Sequence, residues 1–345
     1  MRFAAMRNDD DNRQGMILLL GASGYFGKTF ASELRRRGRS FIPLTRKAFD
    51  YTRFDFLFDY LRTMRPVFVI NAAGYSGGGQ DNSEDLDREK AMSANALLPQ
   101  MIARVCLMTK TPWGHVSSGS IYNGVKFLDN NRWRVERDTA RPGIADQFIA
   151  EPERFAGFTE LDEPNFSFRY PPCDFYSGSK ALAEEAIREI GQSYIWRMRE
   201  PFNERDESCN LLARIAQAGL RGLNSFSHLE DSVRACLDLW EMRAPFGIYN
   251  VTNPGAISVE DVSRRMQRLL KNHRFSHIGA APDLDSHRPA SRSNCVLDVS
   301  KLIKAGVRMR PLSEAMNDSL ERLETFTRGA RVVERPHPAS TISLL

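Results

Sequence analysis

Met16-Ile17-Leu18-Leu19-Leu20-Gly21-Ala22-Ser23-Gly24-Tyr25-Phe26-Gly27 is the stretch that decides the fold. Its first five residues form a strand-sized apolar run, and its glycines fall in a GxxGxxG spacing. Phe26, Phe30 and Leu34 then recur every four residues until Gly38, which is a helical stripe with its terminator. Strand, glycine turn and helix in that order open a doubly wound α/β sheet and make a cradle for a dinucleotide. Gly21 permits the tight turn, Gly24 lets a pyrophosphate approach the helix N-terminus, and Gly27 lets helix and strand pack closely. Ser23, Tyr25 and Phe26 share the loop and join the candidate cofactor contacts.

The alternation continues downstream. Phe41 to Leu44 and Val67 to Ile70 read as strands around a short helix at Phe54 to Leu61. Ala91 to Met108 reads as one long helix, and Trp113 to Val116 as a strand running into Ser117 to Ser120. Residues 125–172 break the rhythm with charge, aromatics and prolines, as a lid or a surface elaboration would. Helical spacing resumes over Ser177 to Ile190, followed by a strand at Tyr194 to Met198, helices near 210–218 and 229–242, and a strand at Gly247 to Val251. Ser258 with Asp261 marks a helix start, and a last helix begins near Ser313. The expected domains are a dinucleotide-binding domain over 16–200 and a mainly substrate-binding domain over 201–330, some of whose segments return to the first sheet. Polar tails are expected at 1–15 and 331–345.

The 345 residues are 42% hydrophobic and 26% charged, which suits a globular protein with a large core. The longest apolar run is far short of a membrane span, and the first fifteen residues lack the apolar stretch of a secretory signal, so a cytoplasmic protein without a membrane partner is expected. Five scattered cysteines, none in a CxxC pair, indicate neither a disulfide framework nor a zinc knuckle. The net charge is only +5, from 48 basic against 43 acidic residues, and the densest basic run, Arg35-Arg36-Arg37 with Arg39, ends a helix where cations are favoured anyway. Nucleic acid is therefore not an expected partner. His273 and His277 stand four apart but lack a third ligand, so no metal is expected. Cys173 is read as structural, and Phe148, Phe155, Phe158, Phe166 and Phe168 as packing residues of the 125–172 segment rather than a ligand cover.

Where an NAD-preferring site offers a carboxylate after the second strand, this chain offers Arg46, whose guanidinium suits a 2′-phosphate; NADP(H) is expected over NAD(H). Asp50 and Tyr51 are candidates for the adenine edge, and Asn71-Ala72-Ala73 lies beside the expected pyrophosphate position. Tyr176 and Lys180 stand four apart at the start of a helix, so phenol and ammonium share a face, and the ammonium favours the phenolate. That makes the tyrosine a usable acid or base. Ser118 closes the strand that precedes them.

These residues, with Val69-Ile70-Asn71-Ala72-Ala73-Gly74, Ser93-Ala94-Asn95, Tyr249-Asn250-Val251-Thr252-Asn253-Pro254-Gly255 and Ser291-Arg292-Ser293-Asn294, resemble the nucleotide-sugar branch of the extended short-chain dehydrogenase/reductase family. Within it the chain is most similar to the NDP-rhamnose-forming 3,5-epimerase/4-reductases and the dTDP-4-dehydrorhamnose reductases. The resemblance implies a Rossmann-type doubly wound parallel sheet with a smaller C-terminal α/β substrate domain, a homodimer, and a nucleotide-diphosphate sugar as substrate. It implies that Tyr176 protonates the sugar O4 as hydride reaches C4, that Ser118 binds the same oxygen, that Lys180 holds the nicotinamide ribose, and that Asn95 anchors a proton relay. Ser120, Tyr122, Asn203 and Arg292 are the candidate substrate contacts.

One departure matters. Two residues after the catalytic Ser/Thr the bifunctional relatives carry a cysteine and the dehydratases a glutamate, whereas this chain has Ser120, and the epimerase lysine is replaced by Arg214. Neither side chain shuttles protons at neutral pH, so reduction at C4 without 3,5-epimerisation is expected. Two other readings stand beside it. An NDP-sugar 4-epimerase with bound NAD fits Ser117 to Tyr122 but not Arg46, and a noncatalytic scaffold keeping the fold has no use for an intact Ser118, Tyr176 and Lys180.

Overall fold

The computed structural model describes residues 15–75, 84–205, 210–212, 215, 221–270 and 293–333. The chain runs β1 (Ile17–Leu20), α1 (Tyr25–Arg36), β2 (Phe41–Leu44), α2 (Phe54–Met64), β3 (Phe68–Asn71), α3 (Glu84–Met92), a π-helical turn (Ser93–Leu97), α4 (Leu98–Thr109) and β4 (Trp113–Ser118). Next come β5 (Val125–Asp129), β6 (Arg132–Glu136), α5 (Ile144–Ala150), β7 (Phe155–Ala156), α6 (Phe175–Ile187), β8 (Ser193–Met198), β9 (Pro201–Phe202), β10 (Leu223–Asn224) and β11 (Ser227–His228). The last described elements are α7 (Leu229–Glu241), β12 (Gly247–Asn250), β13 (Ile257–Ser258), α8 (Val259–Leu270), α9 (Ser300–Lys304) and α10 (Leu312–Val333).

The main sheet has the order β12-β8-β4-β3-β1-β2 with every pair parallel. Its inner strands β1, β3, β4 and β8 are buried at every position, as strands covered on both faces must be. Pro43 is tolerated because β2 is an edge strand. The order reverses direction between β1 and β3, and such a switch point is where doubly wound sheets open a crevice at their C-terminal ends. One face of the sheet is closed by α1 and α7 through Phe30, Leu34, Trp196 and Val233, and the other by α2, α4 and α6 through Leu57, Ile102 and Ile187. Gly114 is required by this packing, since a Cβ there would lie 2.0 Å from the Trp196 ring.

The expected single helix over Ala91 to Met108 starts earlier and carries the π turn at Ser93–Leu97. Pro99 has no N–H for the carbonyl four residues back, so the ladder steps to a wider ring and turns Asn95 inward, fully buried. By length and composition alone Asp87–Thr109 is apolar enough to cross a membrane, but half of that window is buried within the protein, as in a core helix.

Residues 125–172 form a small sheet of order β6-β5-β7, with Asn130 and Asn131 both at positive φ in the two-residue hairpin turn. This sheet is stitched to the C-terminal part of the chain. Gly124 N–H donates to the Asn294 carbonyl and Phe158 N–H to the Val296 carbonyl, and Val125, Ile144, Leu223 and Val296 share one apolar cluster. Phe155, Phe158 and Phe166 are buried in it or beside it, whereas Phe168 is exposed on one side and packs over Gly178 on the other. A separate core gathers Phe202, Phe226, Val262, Met266, Leu312 and Met316 from the C-terminal half, and Ser258 caps α8 by accepting from Asp261 N–H. Residues 1–14 and 334–345 of the expected tails, the His273/His277 pair, and most of the helix expected at 210–218, with Arg214 and Cys209, lie outside the described residues, whereas residues 331–333, expected as tail, end α10.

Candidate active site

The glycine loop follows β1 into α1 at the switch point. Gly21 has φ +75°, and a Cβ there would meet Ala73 N at 2.5 Å; at Gly27 it would meet Gly21 O at 2.0 Å. Both must therefore be glycine, one for turn and contact, the other for helix-to-strand packing. Gly24 is open by comparison, its nearest neighbour being Gly21 O at 3.3 Å, and no side chain caps α1. An uncapped helix start over a glycine is a built anion cradle. Ser23 is exposed at its lip, Tyr25 and Phe26 are half-buried, and Arg46 lies exposed past the end of the neighbouring β2. The chemistry of these donors fits a dinucleotide phosphate.

Several candidate contacts take other roles. Tyr51 is buried beneath the loop, its hydroxyl hydrogen-bonded to the Gly21 backbone, so it supports the turn rather than facing adenine. Asp50 is exposed and accepts from the Thr52 N–H and hydroxyl. Asn71 is fully buried; its Oδ1 accepts from Ala73 N at 3.1 Å and its Nδ2 reaches His115 Nδ1 at 3.1 Å, which shapes the turn at Ala72 and Ala73 without presenting the amide.

Ser118 ends β4 and Tyr176 and Lys180 begin α6, whose start is capped by Asp174 accepting from Ser177 N–H at 2.7 Å. Helix α6 lies against both β4 and the turn Gly119–Ile121. Tyr176 is half-buried, and Lys180 Nζ sits 5.9 Å from its ring centroid. Lys180 itself is buried and donates to the Val116 carbonyl at 3.2 Å. Burial pushes its ammonium down to about 8, against the opposing pull of the Glu184 carboxylate. A Cβ on Gly74 would fall 3.3 Å from Asn95 Oδ1 and 3.5 Å from Lys180 Nζ, so the loop after β3, the π turn and the lysine meet at one place. Asn95 exchanges two hydrogen bonds with the Tyr75 backbone and donates to Ser179 Oγ, which donates in turn to the Tyr176 carbonyl. It thus ties the cleft wall to α6.

Ser118 Oγ accepts from Ser120 N at 3.1 Å and donates to Ser120 Oγ at 3.0 Å. Asn203 is buried and accepts from the Tyr25 hydroxyl at 3.1 Å, linking the glycine loop to the segment after β9. Tyr122 is a correction to the sequence reading. It is fully buried, stacked on Phe158, and its hydroxyl donates to the Asp162 carbonyl while accepting from Arg197, so it anchors the 125–172 segment and presents nothing to a substrate. Arg292 lies outside the described residues. Cys173 is half-buried, and burial and the neighbouring Asp174 raise its thiol pKa, the opposite of what a reactive thiol needs.

Several residues at the site went unread in the sequence. Arg197, in β8, and Arg199, one residue past its end, alternate with Trp196 and Met198 in a stretch with no other charge, so extended backbone sends both to the face that also carries Ile195. Two cations on one face of a buried strand demand partners, and that pattern is legible in retrospect. Arg197 pairs with Glu184 at 2.7 Å, both about 4% exposed, and Arg199 reaches Ser120. His115 lies under the lysine, kept neutral by burial and by the Lys180 charge. Glu204, His228 and Glu230 also bring ligand-capable atoms within 4.8 Å of one another, although Arg205 and Arg322 pair with the two carboxylates and His228 caps α7.

Comparison with known proteins follows the same lines. The family model described as RmlD substrate binding domain matches residues 15–145. A trifunctional UDP-glucose 4,6-dehydratase/UDP-4-keto-6-deoxy-D-glucose 3,5-epimerase/UDP-4-keto-L-rhamnose-reductase of Arabidopsis thaliana is 23% identical over 89% of this chain, which spans 42% of the plant protein's length. A dTDP-4-dehydrorhamnose reductase of Mycolicibacterium smegmatis is 24% identical over 88% of this chain and 84% of its own. Among solved structures, the UDP-rhamnose synthase of Acanthamoeba polyphaga mimivirus superposes with a TM-score of 0.69 at 17% identity, over 90% of this chain and 99% of that one. A Bacillus anthracis dTDP-4-dehydrorhamnose reductase in complex with NADP gives 0.65 at 17% identity, over 91% and 100%. The chain therefore has the α/β fold of these reductases and resembles them over nearly its whole described length.

Proposed function

We propose that this chain is an NADPH-dependent reductase of the C4 keto group of a UDP- or dTDP-linked 4-keto-6-deoxyhexose, acting without 3,5-epimerisation. The observation that carries the reading is the placement of Tyr176 and Lys180 on one face of α6, against the turn that follows Ser118, in a sheet whose switch point holds an uncapped glycine cradle. The relatives named for the reduction of dTDP-4-dehydrorhamnose and UDP-4-keto-L-rhamnose support the substrate class, and the neighbour with bound NADP supports the cofactor. When bound, NADPH supplies the hydride. Gly21, Gly24 and the first turn of α1 would hold its pyrophosphate, and Arg46 its 2′-phosphate.

The rest is done by side chains. Tyr176 delivers a proton to O4 as negative charge develops there, and the hydrogen-bonded Ser118–Ser120 pair supplies the hydroxyl donor that holds the same oxygen. Lys180 keeps a positive charge beneath the phenol and is reprotonated readily because burial brings its pKa near the working pH. Asn95 and Ser179 hold the first turn of α6 in register with the cleft wall. Epimerisation needs a group that accepts a proton from C3 or C5, and neither Ser120 nor Arg214 is such a base.

The test generates NDP-4-keto-6-deoxyglucose in situ with a separate dehydratase and follows NADPH and NADH oxidation with UDP and dTDP substrates, with and without an added 3,5-epimerase, in deuterated water. The expected result is NADPH oxidation with no deuterium at C3 or C5 unless the epimerase is added. Consumption confined to the epimerase-containing mixtures identifies a reductase that takes the epimerised sugar. Absence of oxidation in every mixture refutes the reading.

A further inference from the structure

Arg199 is 1% exposed, deeper than any other arginine described, and it stands one residue beyond β8 at the cleft. Its Nη1 donates to Ser120 Oγ at 2.8 Å and to Glu200 Oε1 at 3.2 Å. Nε and Nη2 both donate to Asn224 Oδ1, at 3.2 and 3.0 Å, and Nη2 also reaches the Ser293 carbonyl. Asn224 is itself held, donating to Asn294 Oδ1 at 2.6 Å and accepting from Cys295 N at 2.8 Å. The guanidinium is thus fixed in one orientation, with a single edge directed at the serine pair.

A serine hydroxyl has one proton to give and two lone pairs to accept with. Ser120 Oγ accepts from Arg199 Nη1 and from Ser118 Oγ, so both lone pairs are taken. Among the described residues its own proton has no acceptor. A buried hydroxyl bonded to a guanidinium and left with a proton to give is a charge-assisted donor, and the natural acceptor is an oxygen of the bound sugar.

We propose that Arg199 is a positioning residue that commits Ser120 to donation: by occupying one of its lone pairs, with Ser118 on the other, it directs the Ser120 proton to a sugar oxygen and bars that hydroxyl from accepting a proton from a sugar carbon. This rests on the nucleotide-sugar reading above and adds to it a reason for the specificity. Replacement by serine removes the proton-shuttling side chain of the bifunctional relatives, and Arg199 with Ser118 then leaves the Ser120 hydroxyl no free lone pair. The ligand selected is one with an acceptor oxygen within reach of Ser120, at or beside the oxygen that Tyr176 protonates.

The test is a double-mutant cycle on ligand affinity with the full chain. Calorimetry of dTDP-L-rhamnose and UDP-L-rhamnose in saturating NADP+ is compared for the unmodified protein, Ser120→Ala, Arg199→Met and the double variant, with melting temperatures recorded for each. Ser120→Ala and Arg199→Met are each expected to weaken binding by about tenfold, the value of one charge-assisted hydrogen bond, and the double variant by no more than about twofold beyond either. Arg199→Lys should recover part of the loss. Multiplying losses in the double variant, or unchanged affinity in Arg199→Met, overturns the proposal. If Arg199→Met does not fold, the same cycle is read with Arg199→Lys. Binding without NADPH oxidation counts against the reductase reading while leaving the cycle readable; failure of the unmodified protein to bind either sugar nucleotide overturns the proposal.

Discussion

Lys180 Nζ donates a hydrogen bond to the backbone carbonyl of Val116 at 3.2 Å, from a side chain that is almost wholly buried. A carbonyl neutralises no charge and Glu184 only partly opposes the cost of burial, so the pKa of the ammonium falls to about 8. The protonated form is the one that favours a phenolate at Tyr176. Raising the pH through about 8 removes that charge, so kcat/KM is expected to be level below this value and to fall above it. The measurement is a pH profile of NADPH oxidation; a level profile to pH 10 would sink the assignment.

Glu184 offers a check on the same limb. Its carboxylate raises the Lys180 pKa and is paired with Arg197 at 2.7 Å. Glu184→Gln is expected to move the alkaline fall to lower pH. Because it strands the Arg197 guanidinium in the core, it is also expected to cost about 3–5 kcal/mol of stability by denaturant unfolding. Glu184→Gln combined with Arg197→Met should regain part of that loss.

Arg46 is the exposed cation beside the cradle. Arg46→Ala is expected to lower kcat/KM for NADPH by about tenfold or more and to leave NADH nearly unchanged, since only the former carries a 2′-phosphate. Parallel initial-rate measurements decide it, and equal losses with both cofactors would remove Arg46 from the cofactor site.

The glycines separate two kinds of constraint. At Gly27 an added Cβ would strike Gly21 O and Ala22 Cα, both backbone, whereas at Gly38 nothing lies within 4 Å and only the φ of +65° resists substitution. Gly27→Ala is therefore expected to lose about 3 kcal/mol and NADP+ binding with it, and Gly38→Ala about 1 kcal/mol with binding intact. Thermal melts with and without NADP+ make the comparison.

Local signals were enough for the first β-strand, glycine loop and helix, for Tyr176 and Lys180 on one helical face, and for the Ser258 cap. Each is written within a few consecutive residues, where backbone sterics and side-chain period act directly. The same locality explains the failures. Tyr122 stands close to Ser120 in the chain, yet it is taken into the core by Phe158, Asp162 and Arg197, and Tyr51, expected at the adenine edge, is drawn under the glycine loop.

What the amino-acid sequence determined by itself is the alternation of main-sheet strands and helices, the glycine loop and the shared helical face of Tyr176 and Lys180, because those depend on spacing. What only the tertiary structure decided is which buried charges meet. Arg199 finds Ser120 across 79 residues and Ser293 across 94, and the 125–172 segment closes on residues 293–298. A buried guanidinium must be satisfied by whatever polar groups the packed chain brings within 3 Å or so, and no local pattern names those partners in advance.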